Sequence, residues 1–119
     1  MSELNSIALK IIGNGKGILA ADESTATMTK RLESVKVESN PENRLLFRET
    51  LFTSDNMKNC IGGVILYDET IKQSNSSGKK IPELISDLNS VPGIKVDIGV
   101  KTLANSKEEK ITEGLDGLR

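Results

Sequence analysis

Two short stretches of this chain share one design: glycine first, then an unbroken apolar run, then acids. Gly17-Ile18-Leu19-Ala20-Ala21 leads into Asp22-Glu23-Ser24, and Gly62-Gly63-Val64-Ile65-Leu66-Tyr67 leads into Asp68-Glu69. A strand that stays apolar at every position has no polar face to offer water, so each run reads as a strand buried on both sides, the habit of parallel sheets covered by helices. Around these runs the apolar residues change to helical spacing. Leu4, Ile7, Ala8, Ile11 and Ile12 precede a glycine turn at Gly13 to Gly17. Asn40 can cap, and Pro41 open, a helix carrying Leu45, Leu46, Phe47, Leu51 and Phe52, while Ile81, Leu84, Ile85 and Leu88 follow the polar loop Gln73 to Lys80. A third strand is expected at Ile94-Lys95-Val96-Asp97-Ile98, after a reset at Pro92-Gly93. Its alternation puts Lys95 and Asp97 on one face and three aliphatics on the other.

Strands alternating with helices are repeated βα units, and crossover handedness leaves a doubly wound sheet or an α/β barrel. A closed barrel takes about 250 residues, so a chain of 119 residues would supply about half of one. The final residues, Thr112 to Arg119, read as the opening of another helix, and the chain is expected to stop in mid-fold.

Composition narrows the chemistry. With 16 Lys and Arg against 17 Asp and Glu, the net charge is −1; no basic footprint for nucleic acid is present and no nucleic-acid partner is expected. No apolar stretch approaches the ~20 residues of a membrane span, so no membrane partner is expected either. The single cysteine, Cys60, has no internal disulfide partner, which suits a reducing compartment. Histidine is absent altogether. Zinc sets built on Cys/His pairs and Ser-His-Asp or Cys-His nucleophile schemes are therefore excluded within these residues. Chemistry here must use lysine, carboxylate, arginine or backbone amides.

Gly13-Asn14-Gly15-Lys16-Gly17 is glycine-rich enough to suggest a phosphate loop, but it follows a helix and precedes a strand, the reverse of that motif's context. Asp22 to Arg31 is more informative, because polar residues at the C-terminal end of a buried strand stand where α/β folds place ligands. Ser24 and Thr27 can donate to an anion, and Lys30 and Arg31 can meet a phosphate. Equally, Ser24 or Thr25 can simply cap a helix whose exposed face holds Lys30 and Arg31. Lys95 has two readings as well: charge protecting a sheet edge, or an ammonium in a polar barrel mouth. Asp68 and Glu69 read as solvated loop acids, and Arg44, Arg48 and Glu49 as the solvated face of the long helix.

Taken together, Gly15-Lys16-Gly17-Ile18-Leu19-Ala20-Ala21-Asp22-Glu23-Ser24-Thr25 with Lys30-Arg31-Leu32 closely resembles the opening signature of class I fructose-bisphosphate aldolase. The likeness runs on in order through Glu42-Asn43-Arg44, Phe47-Arg48-Glu49, Gly63-Val64-Ile65-Leu66 with Glu69-Thr70, Pro92-Gly93-Ile94-Lys95-Val96-Asp97 with Gly99, and Gly114-Leu115-Asp116-Gly117-Leu118. It departs at Ala26, where many members have glycine, and at Glu113, where many have glutamine. The resemblance implies a (β/α)₈ TIM barrel, with residues 1–119 the N-terminal portion of its single domain and about three of its parallel strands. It also implies a lyase that cleaves fructose 1,6-bisphosphate reversibly to dihydroxyacetone phosphate and glyceraldehyde 3-phosphate through a lysine imine, with no metal and no cofactor.

By the same resemblance, Asp22 is the active-site aspartate near the cleaved bond and Lys95 a pocket lysine that meets substrate charge. Ser24 and Thr27 are hydroxyls near one phosphate, and Arg31, beside Lys30, is a phosphate-contacting arginine. A sugar bisphosphate as small-molecule partner, a homotetramer and a cytoplasmic location follow from it too. The imine lysine belongs to a later strand of the family fold, so the chain alone is expected to be inactive. The rival reading is an aldolase-derived remnant that acts as a binding or scaffold protein.

Overall fold

The computed structural model describes residues 2–118. Helix starts are fixed where the sequence put short polar side chains. Ser2 Oγ accepts from Asn5 N–H at the head of α1 (Glu3–Ile12), Ser24 Oγ from Thr27 N–H at α2 (Thr25–Ser34), and Asn40 Oδ1 from Asn43 N–H at α3 (Pro41–Phe52). Each such cap contributes about 1 kcal/mol. Between α1 and β1 (Gly17–Ala21) the glycine stretch forms a 3₁₀ turn with Asn14 at φ 57° and Gly15 at φ 71°, a left-handed reversal these residues enter at little cost.

The chain continues through α4 (Met57–Cys60), β2 (Ile61–Leu66), α5 (Asp68–Ile71), α6 (Ile81–Asp87) and β3 (Val91–Ile94) to an antiparallel hairpin, β4 (Gly99–Thr102) with β5 (Lys110–Glu113). Strands β1, β2 and β3 form a parallel sheet in that order. One register irregularity matters: Gly17 pairs with Ile61 but Ile18 with Gly63, so Gly62 is passed over. Beyond it the ladder is regular, and Ala21, Leu66 and Ile94 lie side by side at the C-terminal end.

Period-two alternation divides the sheet. Ala21, Val64 and Leu66 are buried with Phe52, Met57, Ile81 and Ile85, and Leu19 packs against them; this is the core. On the opposite face, Ile18, Gly63, Ile65, Val91 and Gly93 line a shallow apolar pocket with Ile11 of α1. The expectation that β1 is buried on both sides is therefore corrected: helices cover one face, and Ile18 remains 54% exposed on the other.

Helix α1 reaches the sheet through the absence of a side chain. A Cβ on Gly62 would lie 1.8 Å from the carbonyl oxygen of Ile11. Gly62→Ala is expected to force α1 off the sheet and lower stability by about 1–3 kcal/mol. Thermal unfolding followed by circular dichroism checks this; an unchanged Tm would show that α1 is not held there.

Two further expectations are corrected. The third strand lies earlier than Ile94–Ile98, and Pro92 and Gly93 stand inside it rather than before it. Among the described residues β3 pairs with β2 alone, an edge position at which a proline is tolerated. After Lys95, whose N–H still donates to Leu66 O at 2.9 Å, the chain leaves the sheet. Asp97 Oδ2 accepts from Gly99 N–H, and Ile98 N–H donates to Glu113 O, so the alternating segment serves as a bend into the hairpin. The tail does not open a helix either. Thr112 lies in β5 opposite Val100, and Gly114 follows at φ 96°, outside helical space; Arg119 lies outside the described residues.

Candidate functional site

Because Ala21, Leu66 and Ile94 end level, the residues that follow them emerge at one rim: Asp22, Tyr67 and Lys95. By alternation these continue the face opposite the core, along Ile18-Ala20-Asp22, Ile65-Tyr67 and Gly93-Lys95. They wall a cavity of about 410 Å³ together with Ser24, Thr27 and Asp97. Asp22 and Lys95, far apart in sequence, meet there.

Lys95 Nζ lies 3.1 Å from Asp22 Oδ2 and 2.9 Å from Asp97 Oδ1. One ammonium thus bridges carboxylates from two chain segments. The hydrogen bond to Asp97, and after it the bond to Asp22, hold Lys95 protonated above its ordinary range even though burial acts the other way. Asp97 is held below the usual carboxylate range, first by that bond and then by Gly99 N–H. Lys95 thus lines the cavity while following the end of β3, the edge strand of the sheet.

Ser24 caps a helix and lines the cavity at once. Its Oγ caps α2 and also lies 3.2 Å from Thr27 Oγ1, and both side chains face the cavity. Lys30 and Arg31 are not brought to this wall. Lys30 is exposed on α2, and Arg31 Nη1 pairs instead with Glu23 Oε1 at 2.6 Å.

What the residue pattern did not disclose is the polar layer beneath the rim. Arg44 and Arg48, read as a solvated face, are buried. Arg44 donates twice to Glu69, Nε to Oε1 at 2.9 Å and Nη2 to Oε2 at 2.7 Å, and Nη1 reaches the carbonyl and hydroxyl of Ser39. Glu69, read as solvated, is held below the usual carboxylate range by the Arg44 hydrogen bonds, and Arg44 is correspondingly raised by them. Arg48 donates from Nη1 to Thr70 Oγ1 at 2.7 Å and from Nη2 to Glu23 O at 2.5 Å, and lies over the Tyr67 ring. Burial is the main influence on Arg48 and lowers its pKa. A signal did exist: Arg44, Arg48 and the core residue Phe52 recur every four residues, so both arginines continue the buried stripe of α3.

This arrangement places an acid, a base and hydroxyl donors around a polar cavity. A carboxylate beside a fixed ammonium can accept a proton from a bound hydroxyl, and the ammonium can neutralise negative charge as it develops.

Comparison with known proteins agrees with the order of these motifs. A family model described as fructose-bisphosphate aldolase class-I matches residues 3–119. Fructose-bisphosphate aldolase A of Salmo salar is 52% identical over 117 residues, covering 98% of this chain and 32% of the relative. The fructose-bisphosphate aldolase of Schistosoma mansoni is 52% identical over 118 residues, with the same coverage of 98% and 32%. Among solved structures, fructose-bisphosphate aldolase from Plasmodium falciparum, in complex with TRAP and a small-molecule inhibitor, is similar with TM-score 0.86 and 45% identity over 97% of this chain and 33% of that one. The chain thus spans about a third of the length of the relatives it matches.

Proposed function

We propose a function from one premise: the chain belongs to the class-I fructose-bisphosphate aldolase family. Its fold is a partial α/β barrel with three parallel strands, and we take residues 1–119 as the N-terminal portion of one barrel domain. In the protein that contains these residues, the activity proposed is reversible cleavage of fructose 1,6-bisphosphate to dihydroxyacetone phosphate and glyceraldehyde 3-phosphate. The observation that carries this reading is the Asp22–Lys95–Asp97 bridge on the wall of a cavity that Ser24 and Thr27 also line.

Cleavage of the carbon–carbon bond releases an aldehyde as a hydroxyl proton departs, and leaves the bonding electron pair on the ketose-derived fragment. Asp22 orients that hydroxyl and helps move its proton. Lys95 offsets substrate charge at the same rim, and its pairing with two carboxylates keeps it cationic and fixed in direction. Ser24 and Thr27 donate to one phosphate, with Arg31 and Lys30 adding charge from α2 once Arg31 turns from Glu23. The family resemblance assigns the electron sink, an imine, to a lysine on a later strand. These residues by themselves are accordingly proposed to form no borohydride-reducible adduct with the substrate. Assembly as a homotetramer and action in the cytoplasm belong to the same reading.

The direct test is coupled assay of the full-length protein with fructose 1,6-bisphosphate; absence of cleavage would sink the proposal. Arg31→Ala is expected to raise KM for the bisphosphate by about tenfold, the equivalent of about 1.4 kcal/mol, with kcat little changed. Because Arg31 is 55% exposed, the difference from wild type should shrink as ionic strength rises. A KM unaltered at low salt would remove Arg31 from phosphate binding.

A further inference from the structure

Arg48 is the largest fully buried side chain among the described residues, at 1% exposure; it does not itself line the cavity but touches two residues that do, Glu23 and Tyr67. Its two Nη atoms reach different segments. One holds Thr70, four residues beyond the end of β2, and the other holds the carbonyl of Glu23, two residues beyond the end of β1. Glu23 stands between Asp22 and Ser24 in the chain, and its carboxylate divides its attention: Oε1 takes Arg31 at 2.6 Å, and Oε2 faces Arg48 Nη2 at 3.6 Å.

We propose that Arg48 is a positioning residue for the phosphate-side hydroxyl of Ser24, acting through Glu23. The proposal rests on the aldolase reading given above. Packing alone does not account for this side chain. Arg48 Nε and Glu23 Oε2 are buried without a hydrogen-bond partner among the described residues, a cost that an apolar residue of similar volume would avoid. What only a guanidinium supplies is a planar fork wide enough to hold two chain segments at once. Glu23, which stands between Asp22 and Ser24 and holds Arg31 away from the cavity wall, keeps its direction because its own carbonyl and carboxylate are set against Arg48.

The test uses the full-length protein and reads binding separately from turnover, since a partly unfolded population lowers apparent kcat but leaves KM and inhibition constants unchanged. The probes are fructose 1,6-bisphosphate as substrate, with fructose 1-phosphate and fructose 6-phosphate as competitive inhibitors. Arg48→Lys keeps the charge and loses the fork. It is expected to raise KM for the bisphosphate and the inhibition constant of one monophosphate by about tenfold, with the other monophosphate changed less than about twofold. Unaltered constants, or equal changes for all three ligands, would overturn the proposal. Should Arg48→Lys not fold, Glu23→Gln decides: the same selective pattern supports the chain of contacts, and a uniform change or none overturns it. Wild-type protein that fails to cleave the bisphosphate removes this inference together with the aldolase reading. Selective weakening in Ser24→Ala, alongside unaltered or uniform constants in Arg48→Lys and Glu23→Gln, removes the inference alone.

Discussion

Lys95→Met is expected to lower kcat by about 10²–10³-fold, the scale seen when one preorganised electrostatic donor is removed from an active site, while the fold persists. Methionine keeps the aliphatic stem, so little packing is lost. Lys95 is outside the core cluster, and its side chain is 23% exposed. What disappears is the cation between Asp22 and Asp97, leaving two carboxylates facing the proposed sugar bisphosphate, itself strongly anionic. Steady-state kinetics with a far-ultraviolet dichroism spectrum separate the two effects; kcat within about threefold of wild type would exclude Lys95 from the chemistry.

The pH behaviour of this pair has a definite sign. Lys95 is raised on folding, so its stabilisation is complete below the unfolded value of about 10.4 and is lost as pH rises through the higher folded value. Asp97 is depressed, so its contribution is present above about 3.9 and is lost as pH falls through the folded value. Across neutral pH the bridge stays charged on both sides.

The second large effect concerns stability. Glu69→Gln removes the charge that neutralises Arg44, a guanidinium whose side chain is only 9% exposed. Leaving a buried cation uncompensated costs about 3–5 kcal/mol in a fully buried pair; with Glu69 at 26% exposure, about 2–3 kcal/mol is expected. Denaturant unfolding measures it. Replacing both partners, Arg44→Met with Glu69→Leu, is expected to recover most of the loss, since no charge is then stranded. A double variant as unstable as the single would show that the pair acts by shape and not by charge. Glu69 is depressed on folding, so the wild type loses this contribution as pH falls below about 4.3 and through the folded value, and the acid limb should flatten in Glu69→Gln.

How much of this was readable beforehand depends on what each element needed. Local signals carried far: Asn40 capping, Pro41 opening α3 and the apolar runs of β1 and β2 follow from short-range sterics and burial. The third strand misled because Ile94 to Ile98 alternates as a strand does, yet the backbone bonds that decide it come from Leu66 and Glu113, distant in sequence. Ser24, Thr27, Asp22 and Lys95 were found at the rim, since polar residues after an apolar run have nowhere else to go. The burial of Arg44 and Arg48 is hidden in the sequence for the opposite reason. Charge predicts exposure until a partner is known, and Glu69, Thr70 and the carbonyl of Glu23 become partners only when β2 is laid beside β1.

Gly62 carries a consequence well away from the place where it sits. By dropping out of the pairing between β1 and β2, it advances the whole of β2 by one notch, and that offset decides which side chains face one another at the far end of the ladder. Were Gly62 to pair with Ile18 instead of being passed over, every later residue of β2 would reverse its inward or outward sense. Tyr67 would swing to the helix side, and Thr70 would lose its alignment with Arg48. A spacer with no functional group thus sets the timing of groups that have one.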